Sequence, residues 1–493
     1  MHALSLKTLT TAAPEVARPR YAPSRVAIGI VHLGIGAFHR AHQAIYTDDA
    51  LAAAGGDWGI CGVSLRSPGV RDQLVPQDGL YTSVERSPEG VRRRIIGSVR
   101  EVLFLGDARA MLRKRLAAPA THLVTLTVTE KGYCHDPASG QLNLAHPDIV
   151  HDLASPDAPV SVVGLIVAAL RERRASHGAP LTIVCCDNLP HNGALLRGLV
   201  HAYAQRLSPA LAAWIDDHAA FPSTMVDRIV PATTPPDAAE NAAAIGLADA
   251  APVVHEPFIQ WVIEDRFVSP RPPWEVAGAQ FVADVAPFEA MKLRLLNATH
   301  SAFAYLGFLA GHEFIYQVAR EPDFVAYMRR FMEREATPTL TVPAHVDVAG
   351  YREALVKRYK NPALPHRTQQ IAMDGSQKLP QRILGTVRDN LAAGRPIDCA
   401  ALAVAAWMRY ASGEDEQHRP IKVSDPLAPQ FAEIANAHRG NATRLASAFL
   451  GLRAIFGDDL PADRRFSQPV TRALSQLMAE GAARSVASLI RNP

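Results

Sequence analysis

Several features that announce particular classes of protein are missing from this chain. No CxxC pair occurs, and the cysteines are odd in number: Cys61, Cys134, Cys185, Cys186 and Cys399. That pattern excludes a disulfide framework and a zinc ribbon, and it fits a reducing compartment. No run of about 18 apolar residues is present, so no membrane-spanning helix is expected. The first residues, MHALSLKTLTTAAPEVARP, have neither a long apolar core nor a cleavage-like ending, which makes a poor secretory signal. Neither sign of charge dominates: 51 Lys and Arg face 48 Asp and Glu, for a formal charge of +3. A broad electrostatic footprint for nucleic acid or anionic membrane is therefore disfavoured. Internal repeats and low-complexity segments are also lacking. What remains is a cytoplasmic, soluble chain of ordinary globular composition.

At 493 residues the chain exceeds what one core usually holds, so two domains are expected. Pro14, Pro19 and Pro23 suggest a loose N-terminal arm. Residues 26–33, VAIGIVHL, then read as a short buried strand. Gly34-Ile35-Gly36 follows, then a helical stretch, FHRAHQAIYTDDALAAAGG, and a second strand at 58–65, WGICGVSL. Strand, glycine turn, helix and strand make the βαβ unit of a parallel sheet. Further strands are expected in THLVTLTVTE (121–130) and LTIVCCDN (181–188), with a helix in VSVVGLIVAALRERRASHG (160–178) between them. From about Pro287 onward the apolar spacing is helical, as in DFVAYMRRFMEREA and CAALAVAAWMRYASG. The expectation is an α/β domain over 1–285 and a mainly α-helical domain over 286–493.

The glycine turn has what a dinucleotide pyrophosphate needs: backbone freedom, close approach and free N–H groups at a helix start. The candidate cofactor segment runs through Gly34, Ile35, Gly36, Ala37, Phe38 and His39. Two parts of the usual fingerprint are absent. His39 stands where a third glycine would fall, and no acid follows the second strand, where Arg66 and Ser67 lie instead. A tight structural turn explains a bare GxG equally well. Arg66 leaves NAD versus NADP open. His32, His39 and His42 invite a metal reading, with His39 and His42 three apart on one helical face. No recognisable third and fourth ligand accompanies them, so packing around the turn is the expected role.

MKLRLLNATHSAFAYLG (291–307) is apolar nearly all round, yet carries Lys292, Asn297 and His300. On an α-helical wheel Lys292 and His300 are about 80° apart and Asn297 about 60° further, so all three can share a side. Glu289 lies one turn before Lys292. Two readings stand. One is a structural polar cluster. The other is acid–base chemistry, in which a desolvated lysine loses proton affinity and the amide and imidazole hold a substrate oxygen.

The segments IVHLGIGAFHRAHQAIYTDD, TLTVTEKGYC, CCDNLPHNG, FPSTMVDRIVPATTP and EPFIQWVIEDRFV, with the Lys292–Asn297–His300 helix, resemble the mannitol dehydrogenase family, the polyol-specific long-chain dehydrogenases/reductases. The resemblance runs in order over nearly the whole chain. It implies a Rossmann-type N-terminal domain, a mainly helical C-terminal domain and metal-independent NAD(P) chemistry, with NAD preferred. By this resemblance Lys292 is the catalytic acid/base, Asn188 and Asn297 form an oxyanion hole, His300 orients substrate and Glu289 gates proton exchange. Asp227 and Lys378 match positions that line the substrate site.

The substrate end departs from the mannitol-oxidising members. Gln370 stands where they usually carry arginine, with Arg367 three residues earlier, and Lys131 stands where they tend to have a small or neutral residue. Both departures look like members that reduce a keto-uronate, in which Lys131, Arg367 or Arg382 supplies positive charge for a carboxylate. Taken singly, each is also explained as a solvated surface cation. The expected partner is thus a small sugar acid or polyol. Relatives of this family are often monomeric. Rival readings are a mannitol/fructose enzyme, a tagaturonate or arabinitol enzyme, and a non-catalytic nucleotide sensor.

Overall fold

The computed structural model describes residues 1–136, 139–344 and 346–491. Two compact units divide the chain, Met1–Ala286 and Pro287–Pro493.

The described strands, in chain order, are β1 (Ile28–Leu33), β2 (Gly59–Ser64), β3 (Tyr81–Ser87), β4 (Gly90–Ile96), β5 (Val99–Phe104), β6 (Leu123–Leu126), β7 (Leu181–Cys185), β8 (Ala219–Ala220), β9 (Thr224–Asp227), β10 (Val253–His255), β11 (Gln260–Glu264) and β12 (Gln280–Val282), all in the first unit. Six of them form one parallel sheet in the order β5-β2-β1-β6-β7-β8. Counted within the sheet, that is 3-2-1-4-5-6, the doubly wound order of a dinucleotide-binding domain. Its central strands are mostly apolar and buried because helices cover both faces. Along β1, Ile30 joins the core on one face while Val31 and Leu33 join the core on the other. Two smaller three-stranded sheets, β10-β3-β4 and β12-β11-β9, extend the unit.

The helix expected over 160–178 spans Val162–Ser176, with the Ser161 hydroxyl accepting from Gly164 N–H at its start. Its buried Arg173 donates to the carbonyls of Ala118, Thr121, Ala179 and Pro180. The N-terminal arm is not loose. Leu4, Ala12 and Val16 are buried against Leu80, Ile95, Ile245 and Leu247, and Ala3 bridges to Ala248. Proline spacing reports local conformation and cannot report this distant apolar surface.

The second unit is helical, as expected. Asp398–Ala411 is buried along most of its length and packs against Ala298–Leu309 and the C-terminal helix. In that last helix Gly481, at φ +82°, interrupts the helical backbone. All five cysteines are free and buried. Among the described residues no helix is long and apolar enough to cross a membrane.

Candidate active site

The glycine turn lies at the C-terminal end of β1, where the strand order reverses between β1 and β6. In such sheets ligands bind outside this end. Gly34 has φ +97°, and a Cβ there would fall 2.1 Å from the Thr127 carbonyl oxygen. Only glycine meets both demands. At Gly36 a Cβ would meet nothing closer than 3.9 Å, so the backbone faces open space before the short helix Ala37–Arg40. Ile35 is buried and lies over Gly62 of β2, leaving no room for a side chain there.

His39 replaces the third glycine by stacking. Its ring lies 3.4 Å from that of His32, nearly parallel. His32 is in turn anchored to Thr125 Oγ1 at 2.7 Å and Thr127 Oγ1 at 2.9 Å. Burial holds both imidazoles neutral, pulling His32 down to about 3 and His39 well below the usual range. Contrary to the expected shared face, His42 does not continue the helix of His39. The helical stretch breaks after Arg40 and restarts at Gln43, and His42 pairs with the Gln260 carbonyl at 2.8 Å. Arg66 is exposed just beyond β2. The donor set therefore suits a pyrophosphate: a glycine turn with space over Gly36 and first-turn N–H groups.

The ends of β6, β7 and β9 carry the other N-terminal candidates. Lys131 is exposed on the short turn Glu130–Tyr133 after β6. Asn188 is exposed after β7, and Asp227 is buried as the last residue of β9. Asn192 joins two of these ends, donating to the Asp187 and Thr224 carbonyls, each at 2.9 Å.

In the second unit, Glu289 lies on a helix that begins at Ala286. From Lys292 to Asn297 that helix widens into a π turn, and it resumes as α over Ala298–Leu309. Residues five apart in an α-helix lie about 140° around the axis. The wider i→i+5 turn brings Lys292 and Asn297 closer to one face, and such turns concentrate at functional sites. The α-helical wheel thus misplaced this pair by assuming a constant pitch. Lys292 is 8% exposed, while Asn297 and His300 are half-buried. The Tyr359 hydroxyl donates to the Leu296 carbonyl at 2.7 Å and meets Thr299 Oγ1 at 3.1 Å, so a distant side chain serves the widened turn.

His300 stacks on Tyr359 at 5.2 Å and meets the His366 ring at 5.0 Å. Its Nε2 is closed off and has no hydrogen-bond partner among the described residues. Burial first, then His366 and the charges of Arg382, Arg358 and Lys378, hold its pKa well below the usual range. Burial and Lys378 likewise pull His366 down to about 4. Arg382 donates to Ser301 Oγ at 3.1 Å and reaches the Asn297 carbonyl at 3.5 Å. Lys378 donates to the carbonyls of Ile371 and Met373. Arg367 is exposed, pairs with Glu313 and lies over the Phe314 ring, and Gln370 is exposed. Arg382, one of the cations weighed for a carboxylate, thus donates to the residue next to His300.

Residues 28–276 match the mannitol dehydrogenase Rossmann domain, and residues 284–478 match the mannitol dehydrogenase C-terminal domain. The chain belongs to the mannitol dehydrogenase family. As a member it is an oxidoreductase. It is 48% identical to the D-mannonate oxidoreductase of Escherichia coli K12, over 98% of this chain and 100% of that one. It is 40% identical to the mannitol 2-dehydrogenase of Phaeosphaeria nodorum, covering 96% of this chain and 83% of the relative. The Pseudomonas fluorescens mannitol 2-dehydrogenase, solved as a ternary complex with NAD and D-mannitol, superposes with a TM-score of 0.88 at 40% identity, each chain fully covered.

Residues without a motif of their own also shape the site. Tyr359 and His366 enclose His300, and Ser301 holds Arg382. His366 adjoins Arg367 in HRTQQ and had a weak signal there. Tyr359 had none, since a tyrosine in YREALVKRYK reads as an ordinary helix residue.

Proposed function

We propose that the chain is an NAD-dependent reductase of D-fructuronate, giving D-mannonate reversibly in hexuronate breakdown in the cytoplasm. The observation that carries this reading is the cationic surround of His300. Arg382, Arg358 and Lys378 all bear on its ring, which suits a substrate with a carboxylate. The name of the E. coli relative supports the same substrate class. The five free cysteines fit a reducing compartment.

NADH, when bound, supplies the hydride to the keto carbon. The chain's own groups do the rest. Gly34, Ile35, Gly36, Ala37, Phe38 and His39 would hold the pyrophosphate, a set compatible with the open space over Gly36. Asn188 and Asn297 donate to the reacting oxygen, and Lys292 gives it a proton. Lys292 is 8% exposed, and desolvation of an amine is what acid–base work near neutral pH calls for. Glu289 passes a proton between Lys292 and solvent. His300, neutral, orients the substrate, while Asp227 and Lys378 line the substrate site.

Following NADH oxidation with D-fructuronate and with D-fructose tests the assignment. A higher kcat/KM for fructuronate is expected, and a clear preference for fructose overturns it. The second reading, a mannitol 2-dehydrogenase, draws on the mannitol complex of the Pseudomonas relative. Lys292→Ala separates catalysis from nucleotide sensing: kcat falls by about 10²–10⁴, with NADH affinity unchanged.

A further inference from the structure

Asp187 directly precedes Asn188, and its carboxylate is half-buried. It reaches across to the loop after β6. Oδ2 accepts from Val128 N–H at 2.8 Å, Oδ1 from Thr129 N–H at 3.1 Å, and the Tyr133 hydroxyl donates to Oδ2 at 2.6 Å. Val128 and Thr129 open the turn that carries Lys131, and Tyr133 closes it. One carboxylate therefore grips that turn at both ends.

The turn needs gripping. Thr129 sits at φ +68° and ψ +159°, a region that is essentially glycine's own and strained for a branched side chain. Such a conformation persists only where neighbours over-determine it. Gly132 N–H closes the turn on the Thr129 carbonyl at 2.9 Å, and the Tyr133 ring is fully buried in the core, its hydroxyl also 2.8 Å from Cys185 Sγ. On the other side, Asn192 donates to the Asp187 carbonyl, so the Asn188 loop is held from both directions.

We infer that Asp187 is a positioning residue that locks the Lys131 turn to the Asn188 loop. It thereby sets the span between the substrate's reacting oxygen and the group Lys131 reads. The inference rests on the proposed role of Asn188 and on Lys131 as one of the cations expected to meet the substrate carboxylate. It adds that the two are mechanically one unit, with the energy stored at Thr129 held in place by the Asp187 carboxylate.

The test compares Asp187→Asn, Tyr133→Phe, Lys131→Ala and the double variant Asp187→Asn/Lys131→Ala on D-fructuronate and D-fructose. Asp187→Asn is expected to lower kcat on both ketones at least tenfold, because both use the Asn188 contact. It also lowers the fructuronate-to-fructose ratio of kcat/KM towards that of Lys131→Ala. The double variant loses no further selectivity beyond Lys131→Ala. Tyr133→Phe keeps the buried ring and removes one of the three bonds, so it gives a smaller loss of the same kind and serves if Asp187→Asn fails to fold. NADH affinity stays within twofold in every variant, which general unfolding does not allow. Unchanged kcat in both Asp187→Asn and Tyr133→Phe, or selectivity losses that simply multiply in the double variant, overturn the inference. A wild-type enzyme that prefers fructose defeats the substrate assignment alone, because the Asp187 effect on kcat is read on fructose too.

Discussion

Arg382 is held on the Asn297–His300 face by a 3.1 Å donation from Nη1 to the buried hydroxyl of Ser301, the residue next to His300. A guanidinium fixed in this way loses little further rotamer freedom when it meets a carboxylate. Hydrogen bonds to charged groups contribute about 1.5–3 kcal/mol. Arg382→Met is therefore expected to lower kcat/KM for D-fructuronate by roughly 10- to 100-fold, mostly through KM. The value for D-fructose should change by less than about threefold. Steady-state kinetics on both ketones checks this, and equal losses on the two would remove Arg382 from carboxylate recognition. The same substitution at Arg367 is expected to be nearly silent, since that side chain is exposed and spends its charge on Glu313.

These two arginines mark the limit of what the chain reveals before it folds. Both lie in one basic segment, and nothing local separates them. Glu313, which takes up Arg367, is 54 residues upstream, and Ser301 is 81 residues from Arg382. The glycine turn was legible because an apolar strand, two glycines and a helix start are neighbours in sequence. The family motifs made Lys292, Asn297 and His300 legible as candidates. Their angular relation was not, because a helix apolar on all sides carries no periodicity from which a π turn can be distinguished from an α turn. The N-terminal arm failed for a different reason: its prolines were local, whereas the partners of Leu4 and Val16 lie near residues 80, 95 and 245.

The neutrality of His300 has a direct kinetic signature. Burial and the surrounding positive charges hold its pKa well below 6.5, so the ring stays uncharged across neutral pH. The pH dependence of kcat/KM between about pH 6 and 8 should contain no ionisation that disappears in His300→Asn. That variant is expected to lower activity at every pH in this range by a constant factor. A wild-type inflection near pH 6.5 that is lost in the variant would contradict a neutral His300.

Tyr359 links two parts of the second unit: its ring stacks on His300 and its hydroxyl caps the Leu296 carbonyl within the π turn. Tyr359→Phe retains the stack and deletes the cap. Stability should fall by about 0.5–1.5 kcal/mol, the usual net worth of one such bond, as read by urea unfolding. kcat should fall about tenfold or more, because small displacements of Lys292 and Asn297 are costly to a reaction geometry. Full activity in a destabilised variant would mean that the π turn holds its form without this hydroxyl.

Glu335 makes the stability of the second unit depend on pH. Its carboxylate accepts from Cys399 N–H at 2.6 Å and Ala400 N–H at 2.9 Å. It thus caps the helix Asp398–Ala411, whose own preceding residue, Ile397, offers no side-chain cap. Burial outweighs these bonds and raises the carboxyl from 4.5 to about 7. Between pH 4.5 and 7 the folded state therefore holds a proton that the unfolded state has lost. The stability this provides is complete below about pH 4.5 and is lost as pH rises to about 7. Glu335→Gln, which cannot ionise, should lack that decline. The melting-temperature advantage of the wild type over Glu335→Gln should then shrink steadily from pH 5 to pH 7 and level off above it. A gap that is constant over this range, or that widens with pH, would mean that the two N–H bonds keep Glu335 ionised in the folded protein. Glu335→Ala leaves both helix N–H groups buried without an acceptor and should cost several kcal/mol at any pH, about 1–3 for each.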